Sequence, residues 1–339
     1  MQAANILPAE ADMPRIPDFF IVGAPKCGTT AIYSYLGSHP GVFLPKLKEP
    51  HYFSFDLPEL KRITGGEAYR LLFVSAPDGA LVGEASASYL FSSCAIEHVM
   101  AHNPRARIIA ILRNPIDMAY ALHAERLYNL NEDVADFEEA WSLQEERASG
   151  RCIPKHCREP RLLQYRAVCS FAVQIERLFR AVPEEQRAVF LFEEFTRRPG
   201  ETYSEILQLL KLPDDGREQF EHVNSNKVLR SGVLAKWHRS ARAALKRSGW
   251  YDTAKAATDR LGLHPSRALS QWYIVHKPRR PLSARFRAEL AKELASEVRE
   301  LEHLLGRTLE CWCDFYDLDR SGRSADVGTP GHPLRADMM

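Results

Sequence analysis

The chain has 339 residues, 45% of them hydrophobic, and its 45 Lys plus Arg stand against 44 Asp plus Glu for a formal net charge of +1. Such a chain can bury a sizeable core in one large domain, and its balanced charge excludes a whole-molecule field for nucleic acid or an anionic membrane. Any anionic ligand has to be held by a local site. The first 20 residues lack a basic start followed by a long apolar run, and no stretch reaches 18 uninterrupted apolar residues. A soluble, cytoplasmic protein with no membrane span is therefore expected. Seven scattered cysteines without a Cys-x-x-Cys repeat speak against a disulfide framework or a zinc site.

After an N-terminal extension over residues 1–16, the apolar run from Asp18 to Val22 predicts a buried strand ending at Gly23. Ile32, Tyr35 and Leu36 then recur at helical spacing until Gly37 and Pro40 stop the helix. Leu81–Glu84, Arg107–Leu112 and Ala188–Phe192 read as further strands, and RIIAIL, apolar throughout its middle, belongs in the interior of a parallel sheet. Helical patterns occupy 116–128, 137–149, 162–181 and 202–210. A long amphipathic helix over 283–305 sets Leu290, Leu294, Val298, Leu301 and Leu305 on one face. Strands alternating with helices predict an α/β fold with right-handed crossovers. Residues 225–282 are rich in Arg, Lys, Trp and Ser and are expected to wrap the active-site side, and 318–339 read as a disordered tail after a domain over 17–317.

The stretch Gly23-Ala-Pro-Lys-Cys-Gly28-Thr-Thr30 leaves a strand and opens a helix. Such a turn aims backbone N–H groups and the positive helix end at one spot, which suits phosphate or sulfate. A nucleoside triphosphatase places its lysine after the second glycine and a magnesium-binding Ser or Thr next. Here Thr29 takes the lysine position and Lys26 sits inside the turn, which weakens a kinase or ATPase reading without removing it. An ammonium inside the turn lies against the leaving oxygen between two anionic groups, with Thr29 and Thr30 adding hydroxyl donors. A plain tight turn with a helix cap is the bland alternative. Cys27 at a helix start, where a thiolate is stabilised, leaves a thiol-based enzyme as a distant further reading. Arg113 leaves the end of RIIAIL, so it stands at the carboxyl edge of the sheet, where open α/β sheets bind ligands.

Ala24-Pro-Lys-Cys-Gly-Thr-Thr30 resembles the 5′-phosphosulfate loop of sulfotransferases that use 3′-phosphoadenosine 5′-phosphosulfate (PAPS), in their carbohydrate-type and bacterial branches. His39-Pro40, Lys48-Glu-Pro-His-Tyr-Phe53, Gly83-Glu-Ala-Ser86 with Tyr89, Leu112-Arg-Asn-Pro115, Phe192-Glu-Glu-Phe195 and Leu304-Leu-Gly-Arg307 with Trp312 follow in the family's order, so the resemblance spans residues 17 to 313. It implies a P-loop-like three-layer fold, a central parallel sheet of five-strand type flanked by helices. It also implies in-line transfer of a sulfuryl group from PAPS to a hydroxyl of a sugar, glycolipid or small molecule, leaving 3′-phosphoadenosine 5′-phosphate (PAP), with no metal. By that resemblance Lys26, Cys27, Gly28, Thr29 and Thr30 hold the 5′-phosphosulfate, and Lys26 stabilises the leaving phosphate. Arg113 grips the 3′-phosphate with help from Arg230, Glu49 is the general base, and His51, Ser86 and Tyr89 line the acceptor side.

The family's serine eight residues after the arginine is Ala121 here. Loss of such a hydroxyl costs about 1.5–3 kcal/mol when nothing replaces it. That leaves a non-catalytic PAP-binding relative as a second alternative beside the kinase or ATPase. Ordinary structural roles compete at each position: Glu49 paired with Lys46 or Lys48 on a solvated loop, His51 packed beside Tyr52 and Phe53, Arg113 capping a strand end, and Tyr165 as a core aromatic.

Overall fold

The computed structural model describes residues 15–221, 227–229, 274–276 and 280–312. In chain order these form β1 (Phe19–Gly23), α1 (Thr29–Leu36), β2 (Val42–Phe43), α2 (Gly66–Arg70), β3 (Leu81–Ala85), α3 (Ala95–His102), β4 (Arg107–Leu112) and α4 (Pro115–Tyr128). There follow α5 (Phe137–Ser142), α6 (Gln144–Ala148), α7 (Tyr165–Cys169), α8 (Phe171–Ala181), β5 (Arg187–Leu191), α9 (Phe192–Arg197) and α10 (Pro199–Leu210). An antiparallel pair, β6 (Lys227–Leu229) and β7 (Ile274–His276), and the long helix α11 (Ala284–Leu305) complete the described chain.

Five strands form one parallel sheet in the order β2-β3-β1-β4-β5. Every residue of β1 is buried, as is all of β4 after Arg107, the continuous apolar run required of strands covered on both faces. From β1 the chain first builds outward through β2 and β3, then crosses to the other side of β1 to add β4 and β5. The order therefore reverses between β1 and β4, and the crevice beyond their carboxyl ends is where such sheets bind ligands.

Register brings Gly83 of β3 opposite Phe19 of β1, and a Cβ on Gly83 would lie 2.1 Å from Phe19 Cζ. The ring fills the space a side chain would take. Gly83→Ala is expected to lower stability by about 1–3 kcal/mol, read as a shift of the denaturant midpoint at unchanged m-value. An unshifted midpoint would show that the Phe19 ring moves aside freely.

The long helical pattern over 162–181 is broken. A 3-10 turn over Pro160–Leu163, α7 and α8 replace it, and at the second break Ser170 Oγ donates to Arg166 O at 2.9 Å, taking the carbonyl that a continuing helix would use. The pattern over 137–149 likewise splits at Leu143 into α5 and α6. Tyr165 is a core residue whose hydroxyl donates to Glu132 at 2.7 Å, and Glu132 takes both guanidinium arms of buried Arg147 at 2.7 Å each. On α11, Leu290, Leu294, Val298 and Leu301 are buried and Leu305 packs against the core. No helix of the described residues is long and apolar enough to cross a membrane.

Candidate active site

The turn after β1 is tied to β4 by Ala24 N–H, which donates to Ile111 O at 2.7 Å. Lys26 takes a left-handed conformation (φ 62°), and Gly28 (φ 90°) is the N-terminal cap of α1 with no side chain capping the helix. A Cβ on Gly28 would meet the Phe192 ring at 3.1 Å, so glycine serves here both the positive φ and the close approach of the ring. The carbonyl of Gly28 receives Ala31 and Ile32, but no described residue accepts from the N–H of Gly28, Thr29 or Thr30. These open donors at a helix start fit an anionic oxygen group.

Two cations flank the turn. Arg113, at the end of β4, stacks on the Phe192 ring at 4.7 Å and donates through Nη1 to Lys26 O at 3.3 Å. Lys26 Nζ pairs with Glu125 Oε2 at 2.9 Å, and Arg126 holds the other oxygen of the same carboxylate at 2.6 Å. Burial pushes the Glu125 carboxyl up, but the charges of Lys26 and Arg126 outweigh it and hold it at about 2. Glu125 is thus an anion seated on the ammonium, at the edge where Lys26 and Arg113 meet.

Glu49 is anchored by its N–H to Ala85 O at 2.8 Å, at the carboxyl end of β3, so it stands on the same edge of the sheet as Lys26. Its backbone is left-handed (φ 60°), its side chain is 40% exposed, and Lys48 Nζ touches Oε1 at 2.7 Å. His51 (φ 52°) is buried, with Nε2 at 4.0 Å from Glu49 Oε2. Burial depresses the imidazole to about 4, with Lys48, Arg62 and Arg126 adding to the effect and Glu49 opposing it. Neutral and covered, His51 is a poor proton acceptor, and its backbone N–H donates to Ser86 Oγ at 3.1 Å.

A family model described as a sulfotransferase domain matches residues 16–246, more than half of the chain. The chain belongs to the sulfotransferase family. It is 28% identical over 168 residues to human carbohydrate sulfotransferase 15, covering 37% of this chain and 29% of that protein. It is also 28% identical over 215 residues to human bifunctional heparan sulfate N-deacetylase/N-sulfotransferase 3, covering 61% of this chain and 23% of that one. The chain therefore spans less than a third of the length of these curated relatives. The crystal structure of a sulfotransferase from Alicyclobacillus acidocaldarius superposes with a TM-score of 0.63 at 26% identity, over 88% of this chain and 99% of that one.

Family membership sets aside the kinase or ATPase alternative, in line with Thr29 standing where such an enzyme needs lysine. Within this sulfotransferase fold, Lys26, Gly28, Thr29, Thr30 and Arg113 gather at the β1/β4 switch, with Glu49 tied by its N–H to the end of neighbouring β3. Three expectations change. The Cys27 side chain is buried, its Sγ bonded to Pro25 O at 3.3 Å and its thiol pushed far up by burial, so it is no thiolate and contributes to the turn through its main chain. Ser86 and Tyr89 do not line the acceptor side. Both are fully buried, with their hydroxyls committed to Glu84 at 2.6 and 3.0 Å. His51 is likewise covered rather than presented to an acceptor. Arg230 lies outside the described residues. Sequence reasoning passed over Glu125, because a charge on an amphipathic helix looks solvated. It passed over Glu84 as well, although a carboxylate inside the apolar run LVGEA was a usable signal.

Proposed function

We propose that this chain transfers a sulfuryl group from PAPS to a hydroxyl of a sugar, glycolipid or small molecule, with a sugar favoured by the names of its relatives. The observation that carries the reading is the turn itself: an ammonium within it, an uncapped helix start behind it, and a stacked guanidinium beside it. When bound, the donor supplies the sulfuryl group and a phosphate as its leaving group. The open N–H groups at Gly28, Thr29 and Thr30 suit its 5′ end, and Lys26 offsets the charge that develops on the leaving oxygen. Arg113, with a planar donor fork at the switch point, suits the 3′-phosphate. Ala121 is buried in α4 and offers no hydroxyl for that phosphate, so Arg113 bears more of the task. Glu49, partly solvated and aimed from a fixed turn, takes the proton of the attacking hydroxyl.

Calorimetric titration with PAP, with adenosine 5′-monophosphate, and with ATP plus magnesium tests the donor. Arg113→Ala is expected to weaken PAP by roughly 10- to 150-fold, the loss of one or two charge-assisted hydrogen bonds, while leaving the monophosphate nearly unchanged. Equal losses for both nucleotides would remove Arg113 from the 3′-phosphate. Magnesium-dependent ATP binding with indifference to the 3′-phosphate would overturn the reading as a whole. PAP binding without transfer to any hydroxyl would point to the non-catalytic relative.

A further inference from the structure

Glu84, the penultimate residue of β3, holds its carboxyl inside the protein at 0% exposure, and among the described residues no cation pairs with it. Three hydroxyls converge on it instead: Ser86 Oγ donates to Oε1 at 2.6 Å, and Tyr69 and Tyr89 donate to Oε2 at 2.8 and 3.0 Å. Two of these hydroxyls pass the arrangement on. Ser86 Oγ accepts the N–H of His51 at 3.1 Å, and the Tyr89 hydroxyl accepts the N–H of Phe53 at 3.2 Å. The segment so held carries Glu49 and His51, both in the left-handed region that β-carbon residues avoid and that only over-determined surroundings maintain.

A hydroxyl has one proton to give. While Glu84 is ionised it accepts from all three neighbours, and the lone pairs of Ser86 and Tyr89 are left facing the loop. Once Glu84 is protonated, one of its oxygens becomes a donor inside a ring of donors. A hydroxyl must then turn its proton elsewhere, and Ser86, Tyr89 and Tyr69, at 0–1% exposure, have no solvent face to turn it to.

We infer that Glu84 is a positioning residue for the transfer reaction: ionised, it orients Ser86 and Tyr89 to hold the backbone of residues 49–53 and thereby sets Glu49, and protonated, it releases that segment. The inference rests on the proposed function for the role of Glu49, but not for the coupling between Glu84 and the loop. The groups facing Glu84 are Tyr33 from α1, Tyr69 from α2, Ser86 and Tyr89 after β3, and Glu49 from the loop, with Tyr52 stacked on the Tyr69 ring. His102 of α3 stands behind the Tyr69 ring, and Lys48 and Arg62 lie on the outer side of the loop. Burial pushes the Glu84 carboxyl up to about 7; the three hydroxyls oppose the shift and the charge of Glu49 adds to it. A raised value means that the protonated form prevails below about pH 6 and the ionised form above about pH 8. The loop is therefore held on the alkaline side and loosened on the acid side.

The test compares the wild-type chain with Glu84→Gln by amide hydrogen exchange over residues 49–55 at about pH 5.5 and pH 8, corrected to a common chemical rate, alongside kcat and PAP affinity. Wild-type loop amides are expected to be roughly tenfold less protected at the acid pH, the order of one buried hydrogen bond. Glu84→Gln should be loose at both. Its kcat at pH 8 should fall by roughly tenfold and lose the decline expected of the wild type below about pH 7, with PAP affinity within about twofold since the donor residues follow β1 and β4. Equal protection in both proteins at both pH values, or a wild-type pH profile in Glu84→Gln, overturns the inference. Should Glu84→Gln fail to fold, Ser86→Ala leaves the carboxylate and removes the relay to His51. It must then loosen the loop at pH 8, and unchanged protection overturns the inference. A loop that switches with Glu84 in a protein that transfers no sulfuryl group upholds the coupling and overturns the proposed function instead.

Discussion

Glu49→Gln is expected to lower kcat by about 10²–10⁴-fold, the range of a general base, with PAP affinity unchanged. The substitution keeps the volume and the hydrogen-bonding reach of the side chain but cannot take up a proton. His51 cannot stand in, because burial depresses its ring to about 4 and it stays neutral and covered at neutral pH. The contact with Lys48 that a solvated loop would show is present, yet the Glu49 side chain keeps 40% of its surface, leaving room for an incoming hydroxyl. Transfer of labelled sulfate under saturating donor, paired with calorimetry on PAP, separates the two quantities. A wild-type kcat would move the base to Glu125, another carboxylate placed at this edge, whereas parallel losses of kcat and PAP affinity would mean that the loop had collapsed.

What could be read in advance follows from how much of an element's pattern is local. β1, β3, β4 and the long face of α11 declared themselves through apolar runs or a helical stripe, because each is buried against the rest of the fold. β2, two residues long, has no period to detect, and α3 was hidden by its mixed composition. Lys26 and Arg113 could be set at the sheet edge in advance because each comes within a few residues after a strand, and the ends of parallel strands share one edge of the sheet. Ser86 and Tyr89 were misplaced for the converse reason. Hydroxyl residues after a strand can face ligand or core, and what decides here is Glu84, whose three donors come from residues 69, 86 and 89. Glu125 was silent because its partner is Lys26, 99 residues earlier in the chain.

That partnership shapes the second large effect. Lys26→Ala is expected to reduce kcat by about 10²–10³-fold, the cost of removing one preorganised donor to a developing anion. It should weaken the donor too, for a reason specific to this chain. Glu125 is held at about 2 by Lys26 and Arg126, so deleting Lys26 leaves a carboxylate facing the place where an anion must bind, with Arg126 as its remaining close cation. In the intact protein the donor has to draw Lys26 away from the same carboxylate. Glu125→Gln alone should therefore tighten PAP severalfold, since neutralising the rival anion frees the ammonium. In the double variant, Glu125→Gln should restore much of the affinity lost in Lys26→Ala while leaving kcat low, because the charge on the leaving oxygen still lacks its cation. Such non-additivity in affinity, absent in kcat, identifies Glu125 as the resting counter-ion that the donor displaces. Strictly additive affinities would show instead that the Lys26–Glu125 pair persists when the donor is bound.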